Sequence, residues 1–520
     1  MAASHKTLKT VGVAGAGLMG RGIAQIAAQA GFDVRLIDVK PFAAADAKRL
    51  IGDQLATLAE KGKISAAAAK SALAHIALPE SIAAFSDADL VIEAIVEQLD
   101  AKRALIASLD AVVGRECILA TNTSSLSVTA IASASAHPAR VAGLHFFSPV
   151  PLMKVVEVIS GLLTSPMVIG RLVEFASALG HTPVKARDTP GFIVNHAGRG
   201  YGTEALRIVG EGIAAPATID RILKLEAGFR MGPFELLDLT GLDVSHPVME
   251  SIYRQYYEEP RFRPSPLTAQ RLAAGLLGRK SGRGFYDYRG VDALANPKTP
   301  APAATAKAVS EPPRDHPRPR RAWVSAVDAQ ARRRVVDLLR SLAAEVDDRT
   351  TPDVDSLCVV LPSGRDATGA ALDEGLDPRR TVALDTLFDL SKHRTLMTTS
   401  VTDRQWHDAA QRLFATDGVP VDVIHDSPGF VVQRTLAHVV NIACDIAQQR
   451  IATPEDIDLA VRIGLAYPSG PLAWGDAIGA ARLLHILEEL VRAYGDPRYR
   501  PSLWLSRRAR LGVSLLTPEA

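Results

Sequence analysis

The residues Val11-Gly-Val-Ala-Gly15-Ala-Gly17-Leu-Met-Gly20 decide the fold of the first part of the chain. A short apolar run ends at Ala14, and three glycines follow with the spacing Gly-x-Gly-x-x-Gly before an Ala-rich stretch begins. The first glycine permits a tight turn after a strand, the second lets a pyrophosphate approach the backbone, and the third allows a helix to pack closely on the strand. The pattern predicts a dinucleotide site at a helix N-terminus, formed by Gly15, Gly17, Leu18, Met19 and Gly20.

Asp38 indicates which dinucleotide this site takes. It lies 18 residues beyond Gly20, directly after a second strand-like run at 33–37. A carboxylate at that place holds the ribose hydroxyls of the cofactor and repels a 2′-phosphate. The prediction is therefore NAD rather than NADP. The alternative is a glycine-rich turn that binds nothing.

The first 190 residues alternate short β-branched runs with Ala/Leu-rich stretches. This alternation predicts an α/β, Rossmann-type domain with a parallel sheet. Residues 43–70 are longer than one crossover helix needs, so we expect a helical hairpin that projects from the sheet. The predicted strands are 11–14, 33–37, 90–94, 117–120 and 141–147.

Composition excludes some classes of partner. The 520 residues are 47% hydrophobic and 22% charged, with a formal net charge of +2, the balance of a soluble globular protein. Such a charge provides no strong footprint for nucleic acid. The N-terminus is short and polar, and no stretch is long and apolar enough to span a membrane, so we expect a cytoplasmic protein. The three cysteines Cys117, Cys358 and Cys444 are far apart; we expect them to be buried, with no metal site.

A repeat organises the rest of the chain. Asp188-Thr-Pro-Gly-Phe-Ile-Val-Asn195 recurs as Asp426-Ser-Pro-Gly-Phe-Val-Val-Gln433, an offset of 238 residues. The same offset relates Gly232-Pro233 to Gly470-Pro471 and Asp238 to Asp476. A constant offset over some fifty residues indicates a duplicated helical domain.

The stretch before the second copy alternates again, with strand-like runs at 357–361, 381–384 and 396–399. It lacks the glycine motif, so we predict a degenerate Rossmann-like domain without a dinucleotide. The basic run 314–321 lies among prolines and is predicted to be part of a linker. The predicted organisation is a Rossmann domain at 1–187, a helical domain at 188–290, a linker at 291–321, a degenerate α/β domain at 322–425 and a helical duplicate at 426–515.

His145 is the candidate general base. It stands in Gly143-Leu-His-Phe-Phe147 at the end of a predicted strand, where open α/β sheets bind their ligands, and its ordinary pKa lies near neutrality. The alternative is a core histidine. Glu157 lies inside the apolar run 155–159, where a carboxylate is costly unless it is paired, and His145 is its nearest plausible partner. The alternative is a strand-face glutamate in solvent.

Three further groups complete the candidate site. Asn122 and Ser124 lie in a hydroxyl-rich loop after the strand 117–120, which would bond cofactor and substrate oxygens or simply cap a helix. Asn195 should lie in the first turns of a helix and can donate to a carbonyl. Glu97 and Lys102 would pair near the nicotinamide end, or form an ion pair on a helix surface. Lys61 and Lys63, on the predicted hairpin, would meet the phosphates of a coenzyme or be ordinary surface lysines.

These residues resemble the L-3-hydroxyacyl-CoA dehydrogenase family, in order from 10 to 288. The motifs that carry the resemblance are Gly15-Ala-Gly-Leu-Met-Gly-Arg-Gly-Ile-Ala24, Val91-Ile-Glu-Ala94, Asn122-Thr-Ser-Ser-Leu126, Gly143-Leu-His-Phe-Phe147, Met153-Lys-Val-Val-Glu-Val158, Thr189-Pro-Gly-Phe-Ile-Val-Asn195, Gly232-Pro-Phe-Glu-Leu236 and Gly278-Arg-Lys-Ser-Gly282.

The resemblance implies an enzyme that oxidises an L-3-hydroxyacyl-CoA to the 3-ketoacyl-CoA with NAD. It implies that His145 is the catalytic base and Glu157 its partner, and that Ser124 and Asn195 bind the 3-oxygen side of the substrate. It also implies an all-α C-terminal domain similar to that of 6-phosphogluconate dehydrogenase, and a homodimer contact through that domain.

The full length is similar to the long bacterial members of the family, which oxidise 3-hydroxyadipyl-CoA in phenylacetate degradation. Three alternatives stay open: a 3-hydroxybutyryl-CoA dehydrogenase of fatty-acid or butanoate metabolism, a non-catalytic NAD-binding protein, and a dehydrogenase of a free hydroxy acid or sugar acid. A dicarboxylic substrate would need a cation near its acyl end, for which Arg199 is a candidate.

Two departures from the family pattern concern the helical copies. His196 stands where the family usually has Arg, and the second copy has Gln433 in place of Asn195. No counterpart of the loop 122–126 or of His145 is apparent before the second copy. We therefore expect the second half to be structural, and to act as a built-in partner that replaces a homodimer.

Overall fold

The computed structural model describes residues 8–289, 319 and 321–519. They form two compact units. Unit 1 comprises the described residues up to His196 together with Gln449–Leu465, and unit 2 comprises those of Ala197–Gln448 and of the chain from Ala466 onward. Compactness thus divides the chain at other points than the five predicted segments, since part of the predicted duplicate at 426–515 belongs to unit 1. The predicted linker 291–321 lies almost wholly outside the described residues.

Unit 1 is built on one sheet, of eight strands among the residues described. Its central strands are apolar and buried along their whole length, as strands covered by helices on both faces must be. The strands are β1 (Thr10–Ala14), β2 (Asp33–Ile37), β3 (Ile76–Ala77), β4 (Leu90–Glu93), β5 (Ile118–Thr121), β6 (Val141–Phe146), β7 (Val155–Ser160) and β8 (Thr182–Arg187).

The strand order is β3-β2-β1-β4-β5-β6-β7-β8, and β7 runs antiparallel to β6. The expectation of a parallel sheet is wrong at this pair and right for the other pairs. The cause is the short link between Phe146 and Val155, because a parallel return needs a crossover of a dozen or more residues.

The helices of unit 1 cover both faces of this sheet. Residues 43–70 form the predicted hairpin, whose second helix continues to Ala74. The helices up to the end of the first copy's Rossmann domain are α1 (Leu18–Gln29), α2 (Ala43–Glu60), α3 (Ala66–Ala74), α4 (Leu99–Asp110), α5 (Val128–Ala132), α6 (Pro166–Ala178) and α7 (Val194–Ala197).

Unit 2 contains a second sheet, of six strands in the part of the chain described. The strands are β9 (Arg321–Val324), β10 (Glu345–Asp347), β11 (Leu357–Val360), β12 (Thr381–Leu384), β13 (Arg394–Thr398) and β14 (Val421–Ile424).

The order of this sheet is β10-β9-β11-β12-β13-β14, and β13 runs antiparallel to β12 as β7 does to β6. The predicted degenerate α/β domain is therefore confirmed. Topology corrects one expectation: positions matching the loop 122–126 and His145 do exist in the second copy, after β11 and after β12, although other residue types occupy them.

Helices make up the rest of unit 2. They are α8 (Arg199–Gly210), α9 (Pro216–Leu225), α10 (Pro233–Thr240), α11 (Leu242–Gln255), α12 (Pro266–Ala273), α13 (Ala329–Ser341), α14 (Ala367–Asp373), α15 (Arg404–Phe414), α16 (Val431–Gln448), α18 (Pro471–Ile478), α19 (Ala480–Tyr494) and α20 (Leu503–Leu511).

One helix of the second copy, α17 (Pro454–Gly464), belongs instead to unit 1, where it packs on β7 and β8. All three cysteines are buried and have free thiols, as expected. None of the helices in the described ranges is long and apolar enough to cross a membrane.

Candidate active site

The glycine motif lies between β1 and α1, where each glycine meets a different constraint. Gly15 has φ +105°, and a Cβ there would lie 2.5 Å from the carbonyl oxygen of Ala94. A Cβ on Gly20 would lie 1.8 Å from the oxygen of Gly15, so this glycine permits the close packing of α1. Gly17 caps α1 without a side chain, and a Cβ there would meet no described atom within 4 Å. The motif therefore leaves open space at the N-terminus of α1, as a bound pyrophosphate requires.

Asp38 follows β2 directly and lies beside this motif. One carboxylate oxygen accepts a hydrogen bond from the Ala16 amide at 2.7 Å, and the other accepts one from the Lys40 amide at 2.8 Å. The side chain is half-buried. Its position at the carboxyl end of β2 suits the predicted contact with ribose hydroxyls.

His145 and Glu157 pair in the register of the antiparallel strands β6 and β7. His145 Nδ1 lies 2.6 Å from Glu157 Oε2, and the two side chains are 3% and 0% exposed. The rings of Phe147 and Phe192 lie 4.4 Å and 5.8 Å from the imidazole, between centroids. Glu157 is therefore not a strand-face glutamate in solvent, and the predicted pairing with His145 is present.

The second oxygen of Glu157 is held by backbone. Oε1 accepts hydrogen bonds from the amides of Ile193 and Val194, both at 2.9 Å. These amides follow the Pro190-Gly191 turn and immediately precede Asn195, which lies in α7 as predicted. Both carboxylate oxygens are thus committed, and the carboxylate also brings the start of α7 to the histidine.

Ser124 completes a hydrogen-bonded line with this pair. Its Oγ lies 3.0 Å from His145 Nε2. Because the Glu157 carboxylate can only accept, the proton of the neutral imidazole lies on Nδ1, and Nε2 offers its lone pair. The cap of α5 is Ser127, whose hydroxyl accepts from the Ala130 amide. Ser124 is therefore not the helix cap of the alternative interpretation.

Glu97 organises the loop that carries Ser124. Its Oε1 accepts hydrogen bonds from Thr123 Oγ1 at 2.6 Å, from the Ser124 amide at 2.8 Å, and from the Ser125 amide and hydroxyl at 3.0 Å and 3.1 Å. Burial raises the pKa of Glu97, but the Thr123 hydroxyl, the charge of Lys102 and the loop amides outweigh it and lower the pKa below its usual value. Glu97 is therefore ionised at neutral pH.

Lys102 is buried rather than on a helix surface. Its Nζ lies 2.8 Å from Glu93 Oε1 and 3.3 Å from Glu97 Oε2, and the lysine and Glu93 are 1% and 0% exposed. The Thr121 hydroxyl also donates to Glu93. The surface alternative for Lys102 is wrong, because this ammonium balances one interior carboxylate and helps to hold the carboxylate of Glu97.

The remaining predicted residues are more scattered. Asn122 Oδ1 accepts a hydrogen bond from the Phe146 amide at 2.8 Å and so ties the end of β5 to β6. Lys61 and Lys63 lie exposed at the tip of the hairpin. Arg199 begins α8 in unit 2, where burial lowers its pKa although the nearby Tyr467 opposes the shift.

Sequence reasoning did not single out the roles of Glu93, Thr121 and Thr123. A signal was present for Glu93, which is a carboxylate inside the apolar run Leu90-Val-Ile-Glu93. The argument that identified Glu157 applies to it equally. The hydroxyls of Thr121 and Thr123 carry no comparable signal, because loop threonines are common.

Two family models cover most of this chain. Residues 10–189 match the 3-hydroxyacyl-CoA dehydrogenase, NAD binding domain. Residues 191–288, and again 429–514, match the 3-hydroxyacyl-CoA dehydrogenase, C-terminal domain. The chain belongs to the 3-hydroxyacyl-CoA dehydrogenase family. Its Rossmann domain is the NAD-binding domain of this family, and the duplicated helical region is its C-terminal domain.

Relatives of this family member differ in length. The chain is 38% identical over 504 residues to the 3-hydroxyadipyl-CoA dehydrogenase of Escherichia coli strain K12, which covers 97% of this chain and 98% of that protein. It is 46% identical over 277 residues to a probable 3-hydroxybutyryl-CoA dehydrogenase of Deinococcus radiodurans, covering 53% of this chain and 99% of the relative. The shorter relative therefore has no equivalent of about half of this chain.

A solved structure matches the whole chain. It is described as 3-hydroxybutyryl-CoA dehydrogenase from Escherichia coli K12, with 37% identity and a TM-score of 0.83 over 97% of this chain and 99% of that one. The (S)-3-hydroxybutyryl-CoA dehydrogenase of Ralstonia eutropha matches 54% of this chain and 99% of its own, at 39% identity and a TM-score of 0.53. The predicted fold class and family are confirmed.

Proposed function

We propose that this chain oxidises an L-3-hydroxyacyl-CoA to the 3-ketoacyl-CoA, with His145 as the base. The observation that carries the proposal is the line from Ser124 Oγ through the imidazole to Glu157, closed by two backbone amides. NAD, when bound, accepts the hydride that leaves C3 of the acyl chain. The hydroxyl proton goes to His145 Nε2, and the C–O bond becomes the 3-keto group.

Glu157 supports this proton transfer by its charge and position. A buried imidazolium is costly unless an anion lies against it. The carboxylate at 2.6 Å stabilises the protonated ring and keeps Nε2 directed at the Ser124 hydroxyl. General acid–base catalysis of this kind contributes a factor of about 10² to 10⁴ in rate.

Ser124 and Asn195 are the proposed ligands of the substrate 3-oxygen. Ser124 Oγ lies within hydrogen-bond distance of the atom that takes the proton. Asn195 directly follows the amides that hold Glu157, so the fold ties its backbone to the same carboxylate. Glu97 and Lys102 act on the reaction through the Ser124 loop.

NADH formation from a 3-hydroxyacyl-CoA tests this function. Wild type should produce NADH, and His145→Gln, which keeps a polar side chain without a comparable base, should lose at least 10² in kcat. His137→Gln, at an exposed histidine of the same unit, is the matched control and should keep wild-type kcat. Full activity in His145→Gln would refute the mechanism.

For the acyl group we propose 3-hydroxyadipyl-CoA, the substrate of phenylacetate catabolism. Support comes from similarity along 97% of this chain to a protein named for that substrate. The solved structure of comparable coverage is described as a 3-hydroxybutyryl-CoA dehydrogenase, so 3-hydroxybutyryl-CoA is the second candidate.

Comparison of kcat/KM for the two substrates separates the candidates. We propose Arg199 as the cation that meets the distal carboxylate, so Arg199→Leu should reduce kcat/KM for 3-hydroxyadipyl-CoA about 10- to 100-fold and leave that for 3-hydroxybutyryl-CoA nearly unchanged. Equal effects on both substrates would remove the case for Arg199.

We also propose that the paired helical copies replace the partner subunit of a homodimer. Within unit 2, α8 of the first copy packs along α16 of the second. Glu204 of α8 is fully buried between Arg434 of α16 and Arg498, at 2.9 Å and 3.0 Å. Light scattering at micromolar concentration should find a monomer of 55.4 kDa; a dimer would refute the proposal.

A further inference from the structure

The second sheet has a position for each main residue of the candidate active site. In the first copy His145 pairs with Glu157 across the antiparallel strands. At the same place beyond β12, the amide of Asp385 donates to the carbonyl of Thr395 at 3.0 Å. Asp385 is therefore the counterpart of His145, and Thr395 that of Glu157.

Gln433 joins the two sides of this second position. Its Nε2 donates to Asp385 Oδ1 at 2.9 Å and to the carbonyl of Pro362 at 3.3 Å. Its Oε1 accepts from the amide of Gly364 at 2.8 Å. Gln433 and Asp385 are 1% and 4% exposed. The carboxamide thus bridges the loop after β11 and the end of β12 inside the protein.

The first copy leaves the matching gap for a ligand. There the loop after β5 carries Ser124, the strand end carries His145, and Asn195 is the counterpart of Gln433 by the repeat. Glutamine is one methylene longer than asparagine. The added length carries its carboxamide to groups that, in the first copy, would bond the substrate oxygen.

A second side chain stands at the counterpart of the cofactor site. Gly17 caps α1 without a side chain, whereas α13 begins at Asp328. Asp328 Oδ1 accepts from the amides of Gln330 and Ala331, both at 2.9 Å. These are the helix N-terminal groups that would bind a phosphate. A carboxylate already satisfies them.

We propose that the second copy is closed by its own side chains. The Gln433 carboxamide stands at the counterpart of the substrate-oxygen site, and the Asp328 carboxylate at the counterpart of the pyrophosphate site. The naming of these two sites in the first copy rests on the proposed function. The second copy is then a scaffold whose loops stay ordered without ligand, and one chain binds one NADH.

A buried ion network closes the same position from α9. Glu226 Oε1 accepts from His393 Nδ1 at 2.8 Å and from Thr395 Oγ1 at 2.6 Å, and His393 Nε2 donates to Asp422 at 2.9 Å. Burial lowers the pKa of His393, but its bonds to Asp422 and Glu226 outweigh burial and raise the pKa to about 9. The counterpart of Glu226 at the offset of 238 is Gly464, so the carboxylate is particular to the second copy.

Hydrogen exchange, resolved to single residues by mass spectrometry, tests the carboxamide. In the full chain, Gln433→Ala should speed exchange of the Gly364 amide about three- to tenfold, the effect of losing one net hydrogen bond. The Leu387 amide, which donates to Asp385 Oδ1, keeps its acceptor and is the internal control. Gln433→Glu keeps an acceptor for Gly364 and should preserve its protection at pH 6. Unchanged exchange at Gly364 in Gln433→Ala would overturn the proposal.

Anion binding tests the carboxylate. Asp328→Gly should let inorganic pyrophosphate slow exchange at Gln330 and Ala331, with no such effect in wild type. Calorimetric titration of wild type should find one NADH per chain. A second NADH, slowing by pyrophosphate in wild type, or no slowing in Asp328→Gly would overturn the proposal. Loss of NADH formation with these exchange results intact would refute only the proposed function.

Discussion

The carboxylate of Glu157 and the imidazole of His145 lie opposite each other across β6 and β7, with 2.6 Å between Oε2 and Nδ1. The antiparallel pairing of these strands creates this relationship. In a parallel continuation of the sheet, residues 155–160 would meet β6 in another register and direction. The short link after β6 is therefore the structural cause of the catalytic pair.

Glu157→Gln should lower kcat by about 10² to 10⁴ and change KM less than threefold. An amide cannot accept from His145 Nδ1 and from the two backbone amides at once, and it carries no charge to stabilise the imidazolium. Steady-state NADH formation measures both constants. Glu116→Gln, at an exposed position of unit 1, is the control. A change confined to KM would contradict the role of Glu157.

Lys102→Met should destabilise unit 1 by about 3–5 kcal/mol, because it leaves Glu93 buried without its cation. The double variant Glu93→Met with Lys102→Met should recover most of the loss, since neither charge then remains inside. Urea unfolding measures both effects, and Lys70→Met, at an exposed lysine, is the control. No recovery in the double variant would show that Lys102 stabilises the unit in another way.

Local pattern was sufficient for much of unit 1. The glycine motif, the apolar strands and the hairpin at 43–70 each carry their own signal, because turn geometry, burial and helical periodicity act over a few residues. Glu157 was predictable for a related reason: a carboxylate inside an apolar strand needs a partner. The direction of β7 was not, since buried strands are apolar whichever way they run.

Contacts that depend on tertiary structure escaped the sequence argument. Gln433 and Asp385 are 48 residues apart, and neither matches the residue type of its counterpart, so the repeat alone did not relate them to the first site. The place of α17 in unit 1 escaped for the same reason. Its amphipathic pattern predicts a helix but does not say which sheet covers its apolar face.

Glu204→Ala should destabilise unit 2 by about 3–5 kcal/mol, because Arg434 and Arg498 would remain buried without their shared carboxylate. Burial raises the pKa of Glu204, but the two guanidinium groups outweigh it and hold the pKa far below the ordinary value, so the carboxylate is charged at all working pH. Urea unfolding followed by tryptophan fluorescence measures the loss. Glu211→Ala, which removes a half-exposed partner of Arg434, is the control and should cost clearly less. Equal losses would contradict the central role of Glu204.

Asp385→Asn should change the pH dependence of stability of unit 2. Burial, with the charge of Glu226 adding to it, raises the pKa of Asp385 from its ordinary 3.8 to about 7, and no described group donates to its Oδ2. Between these values the folded chain keeps a proton that the unfolded chain has released, so the free energy of unfolding falls as pH rises from about 4 to 7.

The asparagine retains the acceptor for Gln433 and Leu387 but does not titrate. Relative to wild type, the variant should therefore gain stability between pH 4 and pH 8, by on the order of 1–3 kcal/mol. Urea unfolding of both proteins across this range measures the difference. Asp220, whose pKa burial also raises to about 7, is present in both, so its contribution cancels from the difference. A difference that stays constant from pH 4 to pH 8 would show that Asp385 is ionised in the folded chain throughout, and that the closed second site holds a charge rather than a proton.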